Sequence, residues 1–175
     1  MAVTDETATR NAGRQAHWAV FVGLAAAVVV LDQLAKAWLV SNLVPGQIVD
    51  VVGTYVRLVF SQNSGALFGL FRDSAALFGL VSLGVIGLIV AYHGRSERSL
   101  YLSIALGFLL GGAVGNVLDR LRLGYVVDFV DIGIGSLRWY IFNVADAAIS
   151  AAIVMLVVVA VLPGVARFVD VRTDG

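Results

Sequence analysis

The stretch FNVADAAISAAIVMLVVVAVL, residues 142–162, decides how this chain is read. From Ala147 onward it is built almost wholly of Ala, Ile, Val and Leu, and its length matches the roughly 20 residues that cross a bilayer core. Its first turns nevertheless carry Asn143 and Asp146. A carboxylate at mid-membrane costs about 2.5–3.5 kcal/mol on insertion scales, so such residues face the bundle interior and mark function. Asn143, Asp146 and Ser150 fall at i, i+3 and i+7, which predicts a single polar stripe turned inward.

Three more segments are long and apolar enough to span: residues 17–40, 74–92 and 99–118. The whole chain of 175 residues is 59% hydrophobic and 14% charged, against about 45–50% and about 25% in ordinary globular domains. Zero net charge argues against nucleic acid as a partner. The absence of cysteine removes thiol chemistry and zinc–thiolate sites, and the two histidines, His17 and His93, lie in no metal-binding spacing, so no metal is expected. Residues 1–16 read as a polar, solvated or disordered tail. Gly107, Gly111 and Gly115 recur every fourth residue, a face that admits close approach of another helix. Residues 17–37 also fit a signal peptide ending in LAKA, a reading that cleavage after Ala37 would test and that the role of Asp32 and Lys36 weakens.

Between the first two spans, residues 41–73 are rich in Val, Tyr and Phe and read as short strands. In GSLRWYIF, residues 135–142, the alternation of Leu137, Trp139 and Ile141 with Ser136, Arg138 and Tyr140 predicts a half-buried strand. The expected architecture is an α-helical membrane protein: four transmembrane helices and a small sheet at the membrane surface, with Trp139, Tyr140 and Tyr55 at headgroup level. Arginine density favours a cytoplasmic HGRSER loop, residues 93–98, and therefore both termini inside.

Four alternating crossings gather the unusual polar residues at one end of the bundle. Asp32 and Lys36, the chain's only lysine, are spaced to pair on one helix face. Asn63 follows in the loop; Asn116, Asp119 and Arg120 end the third span; Asp128 and Asp131 come next, then Asn143 and Asp146. Asp119, followed by Arg120, reads as a salt-bridged structural acid. Asp128, in YVVDFVD, and Asp146, among alanines, sit in apolar surroundings. Two such acids brought together share one proton, so one can activate water while the other polarises a carbonyl. The spacing permits this meeting without requiring it. Ser64 as nucleophile lacks a histidine on its side, and a Ser64–Lys36 pair competes with Asp32. A small proton- or cation-coupled transporter or channel subunit is the alternative; it expects acids strung along a path through the bilayer.

The blocks DQLAK (32–36), NSGALF (63–68), GNVLDR (115–120), VVDF (126–129) and FNVAD (142–146), in this order, resemble lipoprotein signal peptidase (signal peptidase II), an intramembrane aspartic peptidase of bacteria. The resemblance runs from about residue 17 to residue 166. It implies an extracytoplasmic sheet, or cradle, and a lid loop, with cytoplasmic tails at 1–16 and 167–175 flanking one catalytic membrane domain, 17–166. It implies Asp128 and Asp146 as catalytic residues, with Asp32, Lys36, Asn63, Asn116, Arg120 and Asn143 binding substrate or supporting the pair. The implied substrate is a diacylglyceryl-modified prolipoprotein, cleaved just before its lipidated cysteine in the bacterial cytoplasmic membrane. Membrane lipid is the other partner; neither cofactor nor metal is implied, and no oligomeric state is specified.

Overall fold

The computed structural model of the chain describes residues 2–64, 75–95 and 99–165. Four helices, α1 (Ala2–Asn42), α2 (Ala75–Arg95), α3 (Leu100–Leu123) and α4 (Val144–Val161), frame four strands, β1 (Ile48–Val52), β2 (Val56–Asn63), β3 (Val126–Ile134) and β4 (Leu137–Arg138). Each helix contains a stretch long and apolar enough to cross a membrane. Leu80, Val81 and Leu88 of α2 and Ile153, Val154, Val157 and Val161 of α4 are exposed, which suits helices whose outer faces meet acyl chains rather than water.

The helix ends differ from the sequence expectation wherever polarity was read as loop. The backbone of α1 continues through residues 2–16, where no proline interrupts it. The third helix runs past 118 to Leu123, because Asp119, Arg120 and Arg122 are helix formers or tolerated there. Gly124 ends it, taking a left-handed φ of 79° and donating its N–H to the Arg120 carbonyl.

Helix α3 is the hub and touches the other three. Its glycine face does what the spacing predicted. A Cβ at Gly111 would lie 2.7 Å from the Ala25 carbonyl oxygen and 2.7 Å from Val28 Cβ, and one at Gly107 would lie 2.9 Å from the Phe21 oxygen, so α1 rests directly on the α3 backbone. On the other side Gly112 and Gly115 meet Ala145 of α4. The inward face of α4 is the small-residue row Ala145, Ala148 and Ala152, while Ser150 is exposed. The expected polar stripe therefore stops at Asp146. Asn143 precedes the helix as its cap, and alanines are what the close α3–α4 approach accommodates.

The strands form one antiparallel sheet in the order β1-β2-β3-β4. Register pairs Ser61 with Asp128 and Arg57 with Asp131, with an irregularity between Leu58 and Ser61. Phe60, Val127 and Phe129 pack with Leu39 of α1, fixing the sheet to the helices. The strand expected at 135–142 is reduced to Leu137–Arg138, a main-chain bond from Trp139 to Ile132 and a bridge between Val130 and Phe142. Leu137 and Trp139 are 81% and 64% exposed. Arg138 turns inward instead, because buried Asp131 needs its guanidinium, whereas apolar side chains at a membrane surface need no protein partner. Residues 65–74, the end of the loop read as strand and most of the NSGALF block, lie outside the described residues.

Gly111→Ala is expected to lower the thermal midpoint in detergent, at a cost of about 1–3 kcal/mol for the overpacked α1–α3 contact. Gly84→Ala, on α2 with nothing within 4 Å of the new methyl, should be neutral or stabilising. Equal midpoints for the two variants would show that the glycine face is not a packing seam.

Candidate active site

Three elements converge where α3 ends, β3 begins and α4 starts. Asn143 caps α4 in an extended conformation; its side chain accepts the Asp146 N–H, and the Asp146 side chain reaches back to the Asn143 N–H, a complete capping box. That reciprocal bond fixes Asp146 in the first turn. The turn at Gly124 sends β3 back beneath the helices, so Asp128 lies on a buried part of the strand.

The two acids meet through Asn143. Its amide nitrogen donates to Asp128 Oδ1 at 2.7 Å, and its main-chain N–H donates to Asp146 Oδ2 at 3.3 Å. Asn63 supplies the other oxygen of Asp128, at 3.0 Å, and Asn116 supplies Oδ1 of Asp146, at 2.8 Å. Asn143 and Asn116 are themselves linked, at 3.1 Å. Arg120 stands alongside: it donates to the Asn116 carbonyl at 3.2 Å, its guanidinium lies 6.0 Å from the centre of the Phe78 ring, and the charges of Asp146 and Asp128 act on it.

Behind this pair lies a second buried cluster. Lys36 bridges Asp32 at 2.7 Å and Asp119 at 2.8 Å, and donates to Asn116 at 3.3 Å. Asp119 is thus salt-bridged as its sequence suggested, but to Lys36 rather than to its neighbour Arg120, since adjacent helical side chains point about 100° apart. Asp32 also accepts the Ala145 N–H of α4 at 2.9 Å, and Asp119 accepts the Val127 N–H of β3 at 3.0 Å. Gln33 was missed in the sequence. It donates to Asp119 at 2.9 Å and Asp32 at 3.2 Å and accepts from Arg122 at 3.2 Å; its place beside Asp32, inside the DQLAK block, was the available signal. All eight residues singled out from the sequence therefore fall in one connected region. With its hydrogens engaged, Lys36 is not a base for Ser64.

Asp128 and Asp131, three residues apart, have opposite electrostatics. Burial pushes the Asp128 carboxyl up and the Asp146 charge adds to this; hydrogen bonds from Asn63 and Asn143 and the charge of Lys36 oppose it, and the result is a pKa of about 7. Burial also acts to raise Asp131, but Arg138 and Arg57, hydrogen-bonded to it at 2.9 Å each, hold it below the ordinary carboxylate value. Asp131 is a structural anion that pins β2, β3 and β4. Asp128 is an acid that keeps a proton near neutrality. Among the described residues, no group of three or more His, Cys, Asp or Glu side chains is arranged to hold a metal ion.

A family model described as "Signal peptidase (SPase) II" matches residues 24–162. The chain belongs to the signal peptidase II family. Lipoprotein signal peptidases of Syntrophomonas wolfei and Moorella thermoacetica are similar to it, 36% and 39% identical over 137 residues, covering 78% of this chain and 89% of each relative. That of Streptococcus agalactiae is 36% identical over 132 residues, covering 75% of this chain and 84% of the relative. Two solved structures, each described as a bacterial membrane enzyme obtained by the in meso method, share the fold. The one at 2.3 Å resolution superposes with a TM-score of 0.75 at 25% identity, covering 84% of this chain and 90% of the other. The one at 1.9 Å gives 0.74 at 26%, covering 81% and 92%. With four membrane-length helices and this family, the chain is a multi-pass membrane peptidase.

The elevated Asp128 sets a pH signature. Between the ordinary value of 3.8 and about 7, folded Asp128 holds a proton that the unfolded chain has released. The native state then binds more protons, so its stability falls as pH rises through that window. Compared with Asp128→Asn, which lacks the titration, the wild type should lose thermal stability from about pH 4.5 to about pH 7. A constant difference between the two melting curves across that range would contradict the assignment.

Proposed function

We propose that this protein is an aspartic endopeptidase that removes the signal peptide from diacylglyceryl-modified prolipoproteins, cleaving just before the lipidated cysteine. The observation that carries the reading is the double grip of Asn143 on Asp128 and Asp146, which holds two acids of separate elements in one hydrogen-bonded site. Two carboxyl groups so placed share one proton. The ionised one takes a proton from water as the oxygen attacks the scissile carbonyl, and the protonated one donates to the carbonyl oxygen, giving a tetrahedral diol. Collapse expels the new amino terminus, which takes up a proton, and no covalent enzyme intermediate forms. The relatives' name, lipoprotein signal peptidase, supports the substrate class.

In this reading the domain spans residues 17–166 of a bacterial cytoplasmic membrane protein with both termini in the cytoplasm. The sheet and the site lie at the outer face, where a substrate anchored by acyl chains reaches them sideways. Asn63, Asn116 and Arg120 orient the substrate backbone or the acids. The transporter alternative is disfavoured because Asp32, Asp119, Asp128 and Asp146 are linked at one end of the bundle rather than spaced across it.

Purified protein incubated with diacylglyceryl-modified precursor should release the signal peptide. Asp128→Asn and Asp146→Asn should each slow release by about 10³-fold or more while the protein stays folded. A folded variant that still processes the precursor removes that residue from the pair, and proton flux through liposomes without cleavage would favour the transporter. Wild-type cleavage should also decline at pH values above about 7, where Asp128 loses its proton and both acids are charged; an undiminished rate at pH values well above that point would rule out a proton-sharing pair.

A further inference from the structure

Lys36 is a pure donor, since an ammonium offers three hydrogens and no lone pair. Its three acceptors are Asp32 Oδ2, Asp119 Oδ2 and Asn116 Oδ1, at 2.7, 2.8 and 3.3 Å, so every hydrogen is engaged. The Asn116 atom facing Lys36 must therefore be the carbonyl oxygen. The amide nitrogen then points the other way, to Asp146 Oδ1 at 2.8 Å. A second pure donor, the Asp146 N–H, fixes Asn143 in the same manner: its carbonyl accepts that N–H at 2.9 Å, leaving its nitrogen for Asp128 at 2.7 Å. A side-chain amide alone has two nearly isosteric orientations. Here each orientation is set by a group that can only donate.

We propose, building on the peptidase reading above, that Lys36 is a positioning residue that sets the polarity of the Asn116 amide, so that the amide donates to Asp146. Its donor-only character is what matters, rather than its bulk. Without the ammonium, the Asn116 oxygen keeps only the Asn143 donor, and the amide can turn to present oxygen to Asp146. The acid then meets a carbonyl where it had met N–H, a contact that only a protonated carboxyl satisfies. The charged groups around Asp146 are Lys36 and Asp32 from α1, Asp119 and Arg120 from α3, and Asp128 from β3. Of these, Lys36 alone combines contact with the Asn116 side chain and donor-only chemistry.

The test combines amide orientation with the pH profile. In protein carrying ¹⁵N in asparagine side chains and ¹³Cγ in aspartate, solid-state NMR should find the Asn116 nitrogen in contact with Asp146 in wild type and Lys36→Arg, and not in Lys36→Met. Because Lys36→Met strips the cation from Asp32 and Asp119, Asn116→Asp serves as a second, near-isosteric variant; it keeps oxygen toward Lys36 and puts oxygen against Asp146. In cleavage of lipidated precursor, Lys36→Met and Asn116→Asp should lower kcat about 10–100-fold with KM little changed, and move the acid limb of the pH–rate profile up by about one unit. Lys36→Arg should return the limb to its wild-type position. A folded K36M that keeps the nitrogen contact and the wild-type limb overturns the proposal, as does a folded N116D with the wild-type limb. The NMR contact is read without substrate, so a wild type that fails to cleave would sink the peptidase reading while the amide orientation is still decided.

Discussion

Everything at the end of this bundle depends on the first turn of α4. Asn143 ends an irregular approach from β4, caps the helix and holds both Asp128 and Asp146. A cap contributes only about 1 kcal/mol in ordinary helices. Its weight here comes from what would happen without it: a buried carboxyl that loses a hydrogen bond incurs a desolvation penalty of about 1–3 kcal/mol or more. Asn143 is fully buried, so water is not available to replace it. The local rule that starts a helix and the geometry that places two acids together are therefore one interaction seen from two sides.

The cluster behind it follows a related logic. Asp32, Asp119 and Lys36 are all buried, and one ammonium faces two carboxylates. Such a group is poor evidence for stability, because desolvating three ionisable side chains offsets most of their attraction. The remaining lone pairs are met by main-chain N–H groups of Ala145 and Val127 and by Gln33. These donors come from α4, β3 and α1, the elements that carry or flank the acids. The cluster thus ties element ends to one another, and its value lies in position rather than in net binding energy.

The helices and the site were legible in the sequence to different depths. Membrane length is an additive property of local residues, so four spans could be counted directly, and the glycine spacing in α3 could be read as a seam. The polar residues could be sorted to one end by alternation of crossings alone. Which acid pairs with which was not local. Asp119 reached across to Lys36 because helix rotation, not chain adjacency, decides side-chain direction. Which side of the 135–142 segment is exposed was not legible, because period-two alternation says which residues share a face and is silent on which face is inside. At a membrane surface the usual rule of apolar-inside loses its force, and the demand of buried Asp131 for Arg138 decided the matter. Ser150 was placed inward on helical spacing, yet the α3 approach selected alanines for that face.

That approach links lipid-phase packing to the chemistry. Gly115 sits where a Cβ would lie 2.8 Å from Asp32 Oδ2 and 3.3 Å from Ala145 Cβ. The same residue therefore lets α1 and α4 close on α3 and leaves room for the Asp32 carboxylate to reach the Ala145 N–H. Helices in lipid gain little from burying apolar surface against each other, so they associate through close contact and hydrogen bonds. One glycine serves both. A wider seam at Gly115 would lengthen the Asp32–Ala145 bond, shift the start of α4 and carry Asn143 away from Asp128. The distance between the two acids is in this sense set by how closely three backbones can approach at Gly115.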